Sequence, residues 1–353
     1  MIPLEKTIIT KEMLDAAANA LANEDLLFGE DVSKFEEEFA EFCRTDHAVS
    51  VGSGTDALTF SLLAIGVKGK EVLTNPASYI ASANAAYHAG GKPVFCDIND
   101  NNGMDPARIR KTVSRKTKAI IPVHLHGHPE DMMRMMEIAR KRNIAVIEDA
   151  CQAHGARYFG ARVGSIGDIG CFSFNPVKNM TVAGEGGMVV TNDGKLAKRI
   201  RMLADSGRES VYSHKHKIIG FSSRMNTVNA AIGRVQLKHL DEWNNQRRKA
   251  AKEYFKQLDG VGVGLPPKET KDIKPVFNKF AIKVKSRNRL KRYLWDNGVE
   301  CDAHYPIPIH LQPPYNYRKG SFPNAERFAR TTLSIPMFPG ITKREINEVC
   351  SLI

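Results

Sequence analysis

The stretch AIIPVHLHGHPEDMMRMMEIARKRNIAVIEDA, residues 119–150, sets two apolar, β-rich runs on either side of an amphipathic helical pattern. AIIPVHL (119–125) and AVIEDA (145–150) are nearly continuous in apolar side chains, as strands covered on both faces are. Between them, Met132, Met135, Met136 and Ala139 recur at helical spacing from Asp131 to Arg142. Strand, helix and strand in that order make a parallel βαβ unit. The same alternation extends outward through AVSVG (48–52), EVLTN (71–75) and PVFCDI (93–98), and then IGCFSF (169–174) and GGMVVTN (186–192). It predicts a mostly parallel α/β sheet over residues 48–192. Ligands of such sheets collect at the carboxyl ends of the strands, and here those ends read GSGT, NPAS, HLHGH, EDACQ and FSFNP.

Beyond the sheet pattern a helical run extends from Asn229 to Leu258, followed by the glycine- and proline-rich connector GVGVGLPPKE. A strand-like NKFAIKVKS (278–286) and a helix from Arg287 to Asn297 come next. The chain of 353 residues is long enough for about two domains. We read residues 1–240 as a large α/β domain, with a helix at Lys11–Asn23, and 241–353 as a smaller α+β domain.

Composition narrows the function classes. No apolar run reaches the roughly 18 residues of a membrane span, and MIPLEKTIITKEML lacks a signal-peptide core. Six cysteines are scattered without paired spacing, as reduced, mostly buried thiols are. The expected location is the cytoplasm, with no membrane partner. A formal charge of +12 suits a nucleic-acid partner, a phosphorylated small molecule, or solubility alone. The basic clusters Arg247–Lys249 and Lys283–Arg292 carry interspersed apolar residues and read as solvated helix faces. No recognition helix, RNA-binding aromatic motif or zinc finger accompanies them, so a nucleic-acid partner is not expected.

The chemistry sits at the strand ends. GSGTDAL (52–58) turns from strand to helix; its small residues and free helix-start amides suit a phosphate, and its Ser and Thr equally suit capping. Asp149 closes an apolar strand, where a bare carboxylate is costly unless paired. It is either a cap or buried ion pair, or the partner of a protonated ring nitrogen, with Gln152 three residues on. Tyr79 is a core aromatic or a ring stacked on a cofactor. Ser173 is a strand serine or a phosphate donor. His124 and His126 in HLHGHP share a strand face, yet Gly127 and Pro129 interrupt it and no second ligand cluster follows, so no metal site is expected. His304 and His310, in HYPIPIHLQPPY, lie on a proline-stiffened loop that is either a substrate contact or simply ordered. Lys178, in FSFNPVKNMTVAGEGG (172–187), follows a short strand and precedes a glycine-rich turn, 29 residues after Asp149. Taken with Asp149 and the phosphate-type turn, it looks like a lysine that holds pyridoxal 5'-phosphate as a Schiff base.

The order and spacing of GEDVSKFEEEFAEFC, VSVGSGTDAL, KPVFCDI, PVHLHGHPEDM, VIEDACQAHGA, GDIGCFSFNPVKN, GEGGMVVTND, RMNTVNAAIGRVQL, YPIPIHLQPPY and LSIPMFP resemble the DegT/StrS family of pyridoxal-phosphate-dependent nucleotide-sugar aminotransferases. The resemblance implies the fold type I architecture, with a large seven-stranded domain, a smaller C-terminal domain, and a homodimer whose active sites lie at the interface. It implies that Lys178 binds the cofactor covalently, Asp149 pairs with the ring nitrogen, Gln152 reaches the phenolic oxygen and Tyr79 stacks on the ring. Gly54, Thr55, Asp56 and Ser173 would hold the phosphate. Ser222 stands where relatives carry an asparagine that reaches the neighbouring subunit's phosphate. The stretch between Lys178 and GEGG is one residue longer than in many relatives, and the loop around Tyr79 one shorter. The implied reaction moves an amino group from L-glutamate or L-glutamine to a keto-sugar of a nucleotide diphosphate, with Arg224, Tyr305 and His310 as acceptor contacts. A cyclitol or other cyclic ketone as acceptor, or a non-catalytic regulatory protein that binds the cofactor, are the alternatives. Relatives that act as dehydratases carry histidine in place of the lysine, and Lys178 argues against that branch.

Overall fold

The computed structural model describes all 353 residues. The chain enters through α1 (Lys11–Asn23) and α2 (Glu30–Cys43). It then alternates β1 (His47–Val51), α3 (Gly54–Ile65), β2 (Glu71–Thr74), α4 (Ala81–His88), β3 (Lys92–Phe95), α5 (Pro106–Thr112), β4 (Thr117–Ile121), α6 (Met132–Arg142) and β5 (Ala145–Asp149). A short hairpin of β6 (Arg157–Tyr158) and β7 (Ala161–Arg162) leads to β8 (Ile169–Ser173), β9 (Gly187–Thr191), α7 (Gly194–Ala204) and the long α8 (Thr227–Leu258).

Seven of these strands form one sheet in the order β1-β9-β8-β5-β4-β2-β3. The pairs from β3 through β2, β4 and β5 to β8 are parallel, and β9 runs antiparallel to both neighbours. Each of the seven β-rich runs read from the sequence supplies one strand. The run 119–125 is shorter than expected: its regular ladder stops at Ile121, before Pro122, which has no N–H to donate. A tight turn at Leu125–Gly127 follows, with His126 at φ 57°. His124 and His126 therefore part company. His124 bonds Glu148 (3.0 Å), while His126 reaches the carbonyl of His304 (3.1 Å).

The strands bury alternate residues on opposite faces. Val49, Val51, Ile147 and Ile169 meet Leu58, Phe60 and Leu62 of α3 and Ile200 of α7 on one face. Phe172, Met188 and Val190 meet Phe35 and Phe39 of α2 and Leu240 of α8 on the other. Helix starts are fixed by side-chain caps, including Ser53 on α3, Asp131 on α6, Asp193 on α7 and Asn226 on α8.

The last third contains β10 (Ile273–Lys274), β11 (Phe280–Lys283), α9 (Arg287–Asp296), α10 (Pro323–Thr331), β12 (Thr332–Ile335) and α11 (Lys343–Ser351). β11 and β12 pair antiparallel, and Tyr254, Phe280, Leu294, Leu333, Ile335 and Val349 share their core with Ile2 from the start of the chain. Helix α8 runs unbroken through residues 240 and 241, with Ala230 and Leu240 in the core of the large sheet and Ala250 to Leu258 in that of the small one. The basic cluster at 247–249 is not a solvated face throughout. Arg247 is buried and donates to the carbonyls of Met337 (2.8 Å) and Phe277 (3.3 Å), tying α8 to the small sheet. Burial brings its guanidinium down to about 9. All six cysteines are unpaired and five are buried. No helix is long and apolar enough to cross a membrane.

Candidate active site

β5 and β8 lie side by side and end together, and the loops that follow them enclose a cavity of about 470 Å³ with the start of α3. Eight residues singled out from the sequence line it: Gly54, Thr55, Tyr79, Asp149, Gln152, Ser173, Lys178 and Tyr305. His304 joins them.

Asp149, the last residue of β5, is buried. Its Oδ2 accepts from the Ser82 hydroxyl (2.7 Å) and its Oδ1 from the amide of Cys151 (3.3 Å), and it has no cationic side chain as partner. A buried carboxylate without a counter-charge costs several kcal/mol, about as an unpaired ion does. Gln152 is oriented by its surroundings: Oε1 accepts from the amide of His126 (2.7 Å), so its NH2 faces the hydroxyl of Tyr305 (3.3 Å). Burial, with Asp149 and Tyr79 nearby, pushes that hydroxyl well above the usual phenol range. The rings of Tyr79 and Tyr305 lie 5.6 Å apart, and Tyr79 remains half exposed at the mouth. Cys151 also lines the cavity; burial and then Asp149 hold its thiol far above its ordinary value, so it is no nucleophile.

Lys178 follows β8 in a turn closed by its own amide on the carbonyl of Asn175 (2.9 Å). Its ammonium has no ion pair or hydrogen bond within the chain, although Glu185 stands on the same rim, where it accepts from Asn175 (2.6 Å).

At the opposite end, Ser53 caps α3 by accepting the amide of Asp56 (3.1 Å). Gly54 and Thr55, the first two residues of the helix, keep amides with no acceptor inside it. A Cβ on Gly54 would lie 2.6 Å from that of Ser173, so glycine is required for the serine to approach. Asp56 is different from expectation: its amide is taken by Ser53, and its carboxylate accepts from the hydroxyls of Ser53 (2.9 Å) and Ser223 (2.7 Å). It braces the loop.

Three expected contacts lie outside the cavity. Ser222 is exposed and bridges to Asp205, and it is its neighbour Ser223 that meets the phosphate-type turn, through Asp56 and the amide of Gly52. Arg224 pairs with Asp205, which also holds Arg208 (2.7 Å), and both guanidinium groups face the ring of Phe28. His310 is fully buried against Phe95 and Phe322, with Nε2 on Glu326 (3.2 Å). The aromatic cluster around it leaves no path to a ligand. Ser82, Cys151 and Glu185 went unnoticed in the sequence, since each is an ordinary residue of a helix, strand end or turn until the fold gathers them.

The residues fit pyridoxal phosphate at three points. An unpaired amine would suit its aldehyde, a buried carboxylate lacking a cation would suit a ring nitrogen that binds a proton, and free helix-start amides beside a serine would suit its phosphate.

Comparison with known proteins agrees. Residues 7–353 match the DegT/DnrJ/EryC1/StrS aminotransferase family. The chain is 41% identical over 344 residues to a dTDP-3-amino-3,4,6-trideoxy-alpha-D-glucose transaminase of Streptomyces venezuelae, covering 96% of this chain and 90% of that protein. It is 38% identical over 345 residues to a UDP-N-acetyl-3-dehydro-alpha-D-glucosamine 3-aminotransferase of Acidithiobacillus ferrooxidans, covering 97% and 93%. The crystal structure of S. venezuelae DesV in complex with a ketimine intermediate superimposes with a TM-score of 0.93 at 40% identity, over 97% of this chain and 93% of that one. The architecture is that of fold type I aminotransferases, which depend on pyridoxal phosphate. An intact lysine, carboxylate and phosphate-type helix start in one cavity, on a chain matched from residue 7 to its end, make this protein a member of the DegT/DnrJ/EryC1/StrS aminotransferase family.

Proposed function

We propose that this enzyme transfers an amino group from L-glutamate or L-glutamine to the keto carbon of a sugar carried on a nucleotide diphosphate, with Lys178 as its catalytic residue. The observation that carries the reading is the pairing of an unpartnered Lys178 amine with an uncompensated Asp149 carboxylate across one cavity. Relatives that act on dTDP- and UDP-linked sugars support the acceptor class.

Pyridoxal phosphate, when bound, supplies an electron-withdrawing ring that takes up the electron pair left at the substrate carbon and carries the amino group between half-reactions. Lys178 would hold the group through Nζ, and the same Nζ, once free, would take the proton from the donor's α-carbon and give it back on the cofactor side, as base and then acid. Asp149, fixed by Ser82, would keep a proton on the ring nitrogen. Gly54, Thr55 and Ser173 would anchor the phosphate, and Tyr79 would cover a ring face. Gln152 presents its NH2 to the phenolic oxygen, and Tyr305 stands beside it for the acceptor. Ser222, which is exposed, and Arg224, half-buried beside Asp205, would serve the site of a second copy in a homodimer. The division of labour between a cofactor-binding unit and a smaller C-terminal unit falls near residue 240, and the enzyme works in the cytoplasm.

Asp149→Asn keeps the shape and the Ser82 contact but removes the charge. Turnover is expected to fall by roughly 100-fold, as when one electrostatic stabiliser is lost, and a steady-state assay with donor and acceptor checks it. The function itself is tested by the visible spectrum of the reconstituted protein before and after L-glutamate. A yellow band that fades with the donor, and is absent from Lys178→Ala, supports amino transfer. A band indifferent to glutamate and glutamine supports a regulatory protein that only binds the cofactor.

A further inference from the structure

The turn that carries Lys178 belongs to no strand or helix, and Val177 is largely exposed. Its position is nonetheless fixed from beneath. Asn278, which enters from the segment before β11, donates from Nδ2 to the carbonyl of Val177 (3.2 Å) and to Oδ1 of Asn179 (3.0 Å), gripping the residues on both sides of the lysine. Asn179 in turn donates from Nδ2 to Oδ1 of Asn244 on α8 (2.8 Å) and to the carbonyl of Val276 (3.0 Å). Asn244 passes its own Nδ2 to the carbonyl of His154 (2.8 Å), in the loop that follows Asp149 and Gln152.

The three amides are buried, at 3%, 4% and 1% exposure for Asn278, Asn179 and Asn244. Their orientations leave no freedom. A carbonyl oxygen only accepts, so Val177, Val276 and His154 fix which end of each amide is NH2, and the side-chain oxygens of Asn179 and Asn244 then accept from Asn278 and Asn179 in turn. Gly155 belongs to the same arrangement: at φ +82° it lies so near that a Cβ would stand 2.9 Å from the Asn244 amide. The chain of bonds thus runs from the Lys178 turn, through α8, to the loop bearing the cofactor contacts Asp149 and Gln152.

We propose that Asn278, acting through Asn179 and Asn244, is a positioning residue that sets the Lys178 amine in register with Asp149. The proposal rests on the reading of Lys178 as the cofactor lysine. An amine that must hold a cofactor and move a proton depends on sub-ångström placement, and a displacement of about 1 Å can cost on the order of 100-fold in rate.

The test uses the full-length protein with Asn278→Ala and Asn278→Ser. In Asn278→Ala at full cofactor occupancy, single-turnover bleaching of the visible band by L-glutamate is expected to slow by roughly 10- to 100-fold. The apparent affinity for glutamate should stay within about threefold, since no donor contact is removed. Asn278→Ser retains one short donor and falls between; it also serves if the alanine variant does not fold. In the cofactor-free protein, the rate of trace acetylation of Lys178, read by peptide mass spectrometry, should shift by at least about threefold, because the amine's surroundings change. Wild-type bleaching and acetylation rates in a variant that merely melts earlier would overturn the positioning role and leave Lys178 as the cofactor lysine. A wild-type protein that forms no cofactor bond at Lys178 would overturn both.

Discussion

Lys178→Ala is expected to lower turnover with an amino donor by on the order of 10⁴-fold, in a protein that folds as well as the wild type. The two halves of that expectation have separate causes. Lys178 is the one amine lining the cavity, and the loss removes both covalent attachment and the group that moves the proton. Its side chain, in contrast, makes no ion pair or hydrogen bond within the chain, so its removal breaks nothing that holds the fold. Thermal unfolding should shift by less than the equivalent of about 0.5 kcal/mol, as for other substitutions away from buried features. Cofactor uptake should weaken without vanishing, because the amides of Gly54 and Thr55 and the hydroxyl of Ser173 remain. Kinetics and melting on the same preparation check it. A variant retaining a tenth of wild-type turnover would remove Lys178 from the chemistry.

Glu148→Ala is expected to cost the fold on the order of 4 kcal/mol or more, because it removes the acceptor of four hydrogen bonds at once. Glu148 is fully buried next to Asp149, on the opposite face of β5. Its two oxygens accept the amides of Gly164 (2.8 Å), Ile166 (2.7 Å) and Gly167 (2.6 Å), and Nε2 of buried His124 (3.0 Å). The amide of Glu130 donates to Nδ1 of the same ring (3.0 Å), so Nδ1 is bare and the proton sits on Nε2, directed at Glu148. Alanine would strand four donors, each costing about 1–3 kcal/mol when buried and unpaired. Urea denaturation checks it. A loss under about 1 kcal/mol would mean that water enters and replaces the carboxylate.

The large sheet was legible because its signal is local. Each of its seven strands has its own apolar run, and the helices between them keep their own spacing and caps. That Lys178, Asp149, Gln152, Tyr79, Ser173 and the GSGT turn gather in one cavity was legible as well, since the strand ends that carry them are neighbours in the βα pattern. What escaped depends on pairings across long separations. Asn179, Asn244 and Asn278 are unremarkable polar residues until the fold sets them in line across 99 positions. Glu148 reads simply as one more residue of a strand. His310 looked available on its proline-rich loop because nothing local announces Phe95, Phe322 and Glu326 around it. Asp56 was misjudged by one step: the turn does offer amides, but the Ser53 cap takes that of Asp56 and leaves those of Gly54 and Thr55.

The central claim is that Lys178 is the residue on which the cofactor is held. Reconstituting the protein with pyridoxal phosphate, reducing it with borohydride and mapping the modified peptide by mass spectrometry tests that most directly. One pyridoxyl group is expected, on the peptide that spans residues 175–179, at Lys178. An adduct on another lysine with Lys178 unmodified, or no adduct from a protein that binds the cofactor, would contradict it.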